Sequence, residues 1–135
     1  MPNSPSNTVY VTVETGFVEQ QSKPEENHFV FFYTITIHND STVPCQLLSR
    51  HWLITDSNLK SEEVYGEGVI GEQPLINAGE SYQYTSGAVI ETEIGTMEGR
   101  YFMIQKSNDQ QDGNKINEFE VSIPKFTLSV PRVLH

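Results

Sequence analysis

Apolar side chains recur at every second residue along most of this chain, a spacing that predicts β-strands rather than helices. Val9, Val11 and Val13 alternate with Tyr10, Thr12 and Glu14. Phe29, Phe31, Tyr33, Ile35 and Ile37 share one parity. The residues between them, Val30 to His38, are apolar enough to predict partial cover on the second face as well. Leu47 to Thr55 is a further β-rich run and holds the single tryptophan, Trp52. Tyr82 and Tyr84 alternate with Ser81, Gln83 and Thr85, and Tyr101 and Met103 lie opposite Phe102 and Ile104. Two last runs, Phe119-Val121-Ile123 and Phe126-Leu128-Val130, precede Pro131. No window joins a capping residue to an amphipathic helical stripe.

Turn chemistry separates the runs. Asn39-Asp40-Ser41, Asp56-Ser57-Asn58 and Asn77-Ala78-Gly79 are turn-forming clusters, and Asp112-Gly113 is a hairpin signal. Ser107 to Asn117 carries almost no apolar residue and reads as a mobile loop. About seven to eight short strands at this spacing predict an all-β, antiparallel sandwich of the immunoglobulin or fibronectin-III-like kind. The lone cysteine, Cys45, cannot pin such a core with an internal disulfide, which favours the fibronectin-III-like variant. Residues 1–7 are expected to be a flexible N-terminus and residues 8–135 a single domain.

Composition narrows the function classes. Eight Lys and Arg against eighteen Asp and Glu give a formal net charge of −10. Such a field repels nucleic acid and anionic membrane surfaces. Met1 to Asn7 lacks the apolar run of a signal peptide, and no stretch approaches the ~18 apolar residues of a membrane span. A cytoplasmic protein without membrane insertion is therefore expected. Cys45 reads as a small buried hydrophobe.

The motifs yield few candidates for chemistry. Gly66, Gly68 and Gly71 match G-x-G-x-x-G, a turn that in dinucleotide folds brings phosphate against a helix N-terminus. Here the following residues are too short and broken for a crossover helix, so a turn between strands is the favoured reading. Glu62, Glu63, Glu67 and Glu72 could offer carboxylate oxygens to a hard divalent cation, but without the close spacing of a calcium loop. A solvated acidic surface is the simpler reading. Arg50 and Trp52 share one face of their strand, where the guanidinium can lie over an aromatic ring; Ser49 and His51 share the other. Ser49 and His51 stand ~7 Å apart along a strand, too far for direct proton transfer. The four histidines do not group, and Glu118 and Glu120 read as the wet side of a strand. No catalytic constellation and no cofactor are expected.

Several long segments, in one order, carry a family resemblance: Gln46 to Trp52, Gly66 to Pro74, Tyr84-Thr85-Ser86-Gly87, Gly95 to Tyr101, Ile123-Pro124-Lys125-Phe126 with Leu128, and the closing Leu134-His135. From about Thr8 to His135 the chain resembles the ApaG family, also called CorD. Cys45 stands where an aliphatic residue is expected, Glu93 where a proline is expected, and the loop Ser107 to Asn117 is longer than usual. The resemblance implies a fibronectin-III-like sandwich and an association with cobalt and magnesium efflux or resistance. Similar domains appended to eukaryotic F-box and polymerase-interacting proteins imply a protein-binding module. A pyrophosphate-binding role proposed for the family's glycine motif would map to Gly66, Gly68 and Gly71. The resulting expectation is a non-catalytic interaction domain with a protein partner, meeting it around Arg50, Trp52 and the Gly66–Gly71 loop. A small-ligand protein binding a nucleotide pyrophosphate or a divalent cation at that loop is the alternative. Uncovered sheet edges also leave room for a weak homodimer.

Overall fold

The computed structural model describes residues 8–106 and 117–131. The N-terminal segment, the Asp112-Gly113 signal with most of its loop, and Leu134-His135 lie outside the described residues. Among these residues eight strands form in chain order: β1 (Val9–Phe17), β2 (Phe29–Asn39), β3 (Cys45–Asp56), β4 (Ser61–Glu67), β5 (Leu75–Ile76), β6 (Ser81–Ile90), β7 (Ile94–Gln105) and β8 (Asn117–Ser129). Two short 3-10 turns, Glu19–Gln21 and Pro24–Glu26, join β1 to β2. The strands make one three-stranded sheet, β1-β2-β6, and one five-stranded sheet, β4-β3-β7-β8 with β5 also paired to β3. All pairings are antiparallel. The predicted sandwich is the observed architecture.

Alternation decides what is buried. On β2, Phe29, Phe31, Tyr33, Ile35 and Ile37 are all buried, and Val30 is covered on the other face. β3 and β8 would break this rule were they regular, and each contains a bulge. In β3 the register with β7 shifts between Leu47 and Ser49. Cys45 and Leu47 point inward before the shift, Trp52 after it. The bulge moves the inward parity from odd to even residues. In β8 the shift falls at Pro124-Lys125, opposite Glu98. Pro cannot donate to a ladder, and it sits here where the ladder is already interrupted, on an edge strand. The two terminal runs are thus one strand, with Val121 and Ile123 buried before the bulge and Leu128 after it.

Trp52 is the centre of the core. It meets Tyr33, Tyr101 and Phe126 edge-on, with ring centroids at 5.4, 6.4 and 5.9 Å. Tyr33 belongs to the three-stranded sheet; the others belong to the five-stranded one. A second tie crosses the sandwich nearby: the hydroxyls of Tyr84 on β6 and Tyr101 on β7 hydrogen-bond each other while both rings are buried. Asn39, fully buried at the end of β2, donates through Nδ2 to Val43 O and Ile76 O, each at 2.9 Å, and accepts from Ser41 N at 3.0 Å. Its amide therefore ties the β2–β3 crossover to β5. Cys45 is buried and free, as its composition reading suggested, and burial pushes its thiol pKa up.

The sandwich is closed on one side and open on the other. β1 runs close alongside β8 without pairing to it. No comparable approach joins β4 to β6 at the opposite side. Two strands missing from the sequence reading, β4 and β5, lie here. β4 escaped notice because only Val64 and Tyr65 are apolar in Ser-Glu-Glu-Val-Tyr-Gly-Glu; β5 has two residues.

Burial raises the pKa of both Tyr84 and Tyr101 well above the ordinary phenol value. The unfolded chain releases these protons near pH ~10 while the native state keeps them, so stability present below that pH is lost as pH rises. In an alkaline titration followed by tyrosinate absorbance, these two phenols should ionise only with unfolding. Tyr84→Phe and Tyr101→Phe should each cost about 1–3 kcal/mol in denaturant unfolding, and the double variant clearly less than their sum, because no orphaned hydroxyl remains.

Candidate functional site

The open side of the sandwich is built around the segment linking β4 to β5. Val69 and Glu72 exchange backbone hydrogen bonds, Val69 N to Glu72 O at 2.8 Å and Glu72 N to Val69 O at 3.0 Å. Between them Ile70 and Gly71 have φ of 45° and 77°. Positive φ at both central residues is the pattern of a type I′ turn, which prefers Asn-Gly. Gly68 also has positive φ, and a β-carbon there would collide with the Glu72 carbonyl oxygen. Gly68 N donates to Leu48 O at 2.8 Å, and Leu47 N to Pro74 O at 3.1 Å, so both ends of the loop are stitched to the β3 bulge.

Arg50 locks this loop. Past the bulge its side chain points inward beside Trp52, and Gly66 is its cross-strand neighbour. A β-carbon at Gly66 would stand 2.7 Å from the guanidinium; glycine leaves room for Arg50 to fold across. Nη1 donates to Gly68 O at 2.6 Å and to Glu67 O at 3.2 Å. Arg50 therefore does not stack on a ring as the sequence suggested; its charge is spent on loop carbonyls. On the far side, Tyr82 of β6 donates its hydroxyl to Glu72 at 3.2 Å, so the loop reaches across to the other sheet. Burial, then the bond to Glu72, raise the Tyr82 pKa.

Below the loop lies a slot between β4 and β6. Its upper part, about 360 Å³, is lined by Tyr33, Arg50, Trp52, Val64, Ile70 and Tyr84 among others. Ile54 leads into a lower part of about 270 Å³ beside Asp56, Glu62, Val89 and Glu91.

The sequence candidates distribute unevenly over this geometry. Arg50, Gly66, Gly68 and Gly71 meet at the loop. Trp52 is only 2% exposed, which corrects its placing on an interaction surface: the indole backs the slot from within the core. The three glycines each serve the local backbone or Arg50, and Glu72-Gln73-Pro74 leads into β5 without a helix. The amides of Gly68, Val69 and Glu72 already donate to protein carbonyls, which leaves fewer donors to cradle a phosphate. The acidic set does not surround the loop. Glu62 and Glu63 are neighbours on β4 and face opposite ways, Glu63 accepting from Tyr65 and Glu72 from Tyr82. Among the described residues no three His, Cys, Asp or Glu side chains gather as metal ligands. Ile70 was missed. It is 62% exposed with a left-handed backbone, and the signal lay in the sequence as Ile-Gly where a tight turn favours Asn-Gly.

The fold and this loop define a small antiparallel β-sandwich with one open side, its end-loop locked by an arginine. Residues 19–105 match the ApaG domain. The chain is 50% identical to Protein ApaG of Azoarcus sp. over 98% of its length and 99% of that protein's, and 50% identical to Protein ApaG of Escherichia coli over the whole of both. A crystal structure of a Bordetella pertussis protein described as ApaA superposes with a TM-score of 0.83 at 41% identity, covering 93% of this chain and 95% of that one. This chain belongs to the ApaG family.

A β-branched residue at positive φ stores about 1–3 kcal/mol. Ile70→Asn should therefore raise the denaturation midpoint by an amount equivalent to about 1 kcal/mol, since Asn adopts this conformation readily. Gly68→Ala should lower it by at least that much, because strain and collision coincide. Urea unfolding of the two variants checks both signs.

Proposed function

We propose that this ApaG domain is a non-catalytic protein-binding module, and that its contact surface is the open side of the sandwich around the Arg50-locked loop. Ile70 carries the reading. An exposed apolar side chain is unfavourable in water, and its left-handed backbone costs energy besides. The same two costs meet at Leu59 in the β3–β4 turn, but Ile70 alone of the two lines the slot beside Arg50 and Trp52, on the tip of a loop that is otherwise rigidly tied. Tyr65 and Leu75, 67% and 52% exposed, add apolar area on the outer face of the adjoining strands, where Tyr65 stacks on His51. Two carboxylates give this side its sign: Glu72, bonded to Tyr82 across the opening, and Glu62, lining the lower part of the slot. An apolar centre with a charged rim is the ordinary composition of a recognition surface, and the sign of the rim selects a partner carrying basic residues.

The family resemblance supports an association with cobalt and magnesium efflux or resistance, exercised in the cytoplasm on a separate transporter or regulator. Among the described residues no helix is long and apolar enough to cross a membrane. Direct nucleic-acid binding is disfavoured by the formal charge of −10. The pyrophosphate alternative loses support because the Gly68, Val69 and Glu72 amides already donate to protein carbonyls.

The test is affinity capture from native cell extract with the wild-type domain, Ile70→Asn, and Glu118→Lys as a control on the far edge of the sandwich. A partner retained by wild type and control should be lost with Ile70→Asn. Since that substitution relieves strain, the loss cannot be laid to unfolding. Undiminished capture by Ile70→Asn would remove the loop tip from the contact.

A further inference from the structure

Edge strands invite pairing with other chains, and folded proteins usually blunt them with charge, proline, bulges or cover. Among the described residues, β5 is an edge too short to offer a ladder, and three of the four longer edges are treated in that way. β1 is flanked by β8. β8 carries Pro124, Lys125 and a bulge. β4 has three glutamates in seven residues. β6 is the exception. Its ten residues, Ser-Tyr-Gln-Tyr-Thr-Ser-Gly-Ala-Val-Ile, contain no charge and no proline. Its pairing with β2 runs without a register shift from Phe29↔Ile90 to His38↔Ser81, and among the described residues no strand lies on its other side. That free edge borders the slot, with Tyr84 and Ser86 facing in and Val89, 51% exposed, at the lower end.

We propose that β6 is a docking edge for an extended, basic segment of a partner protein, which adds as a fourth strand to the β1-β2-β6 sheet. The inference rests on the domain being a protein-binding module and names the mode of recognition. Main-chain hydrogen bonds from β6 supply sequence-independent affinity, and alternate side chains of the incoming strand enter the slot toward Ile54 and Val64. Charge decides the occupant. Lys60 is paired with Glu91 at 3.2 Å, and Arg50 is turned to the loop carbonyls. Glu62 in the lower part of the slot and Glu72 at the loop, bonded to Tyr82 of β6, are left to set the sign of the rim, which attracts lysine and arginine flanks. A second copy of this chain would bring its own −10 charge and the same acidic rim to the junction, which disfavours self-pairing.

The probe is a capped nine-residue peptide, Lys-Val-Thr-Val-Lys-Val-Thr-Val-Lys, beside its counterpart with Glu for every Lys. Both are titrated into isotopically labelled full-length protein and followed by amide chemical shifts. The basic peptide should perturb the β6 amides and bind at least about tenfold more tightly than the acidic one. Gly87→Lys places a charge on the bare edge; its β-carbon meets only Phe31 O at 3.5 Å, an ordinary contact, so the fold should persist. That variant should weaken the basic peptide about tenfold or more, and Glu62→Lys with Glu72→Lys should erase the charge preference. Absence of binding at millimolar peptide, equal binding of both peptides, or shifts confined to other strands would each overturn the proposal. So would concentration-dependent self-association abolished by Gly87→Lys, which assigns the edge to a second copy. If a captured partner depends on Ile70 yet ignores Gly87→Lys, the strand-addition mode falls and the binding module stands. If capture ignores both substitutions, both readings fall.

Discussion

Packing of Trp52 between the two sheets is the contact on which the rest of this structure depends. An indole of that size removes a large apolar area from water, and its edge-on meetings with Tyr33, Tyr101 and Phe126 draw side chains from β2, β7 and β8 to one point. The Tyr84–Tyr101 hydroxyl pair sits beside it and adds a directional bond across the same gap. A sandwich has no covalent pin here, since Cys45 is alone and buried. Interdigitated aromatics supply the alignment that a disulfide supplies in some related architectures.

The functional surface follows from a small irregularity in the strand that carries Trp52. One extra residue in β3 turns the inward parity over, so that Arg50 and Trp52 both look into the sandwich. Trp52 meets the core; Arg50, near the open side, meets backbone carbonyls of the following loop. The same bulge provides Leu48 O as acceptor for Gly68 N. Loop shape, arginine position and slot are therefore consequences of a single register shift. Rigidity of this kind also explains how a strained Ile70 is tolerated at the loop tip: its neighbours are fixed on both sides.

Edge treatment gives the molecule a direction. One flank is closed by β1 and β8, and β4 is guarded by glutamate. β6 remains bare and faces an apolar slot with an acidic border. An unguarded edge carries an aggregation hazard; here the hazard is moderated by the high net negative charge of the whole chain.

Much of this was legible in the residues themselves. Two-residue alternation placed β1, β2, β6 and the inward side of β7 and β8, because burial of one sheet face imposes that period whatever surrounds it. The shared face of Arg50 and Trp52 was also readable, as was the unsuitability of the glycine motif for a crossover helix. What could not be read were features that depend on neighbours distant along the chain. β4 is a strand because β3 offers it a ladder, not because its acidic sequence favours one. The last two apolar runs are one strand because Glu98 lies opposite Pro124-Lys125. Burial of Trp52, the grip of Arg50 on Gly68, and the freedom of one edge of β6 all arise from the stacking of two sheets. Local pattern sets which way a side chain points; only the assembled sandwich sets what it points at.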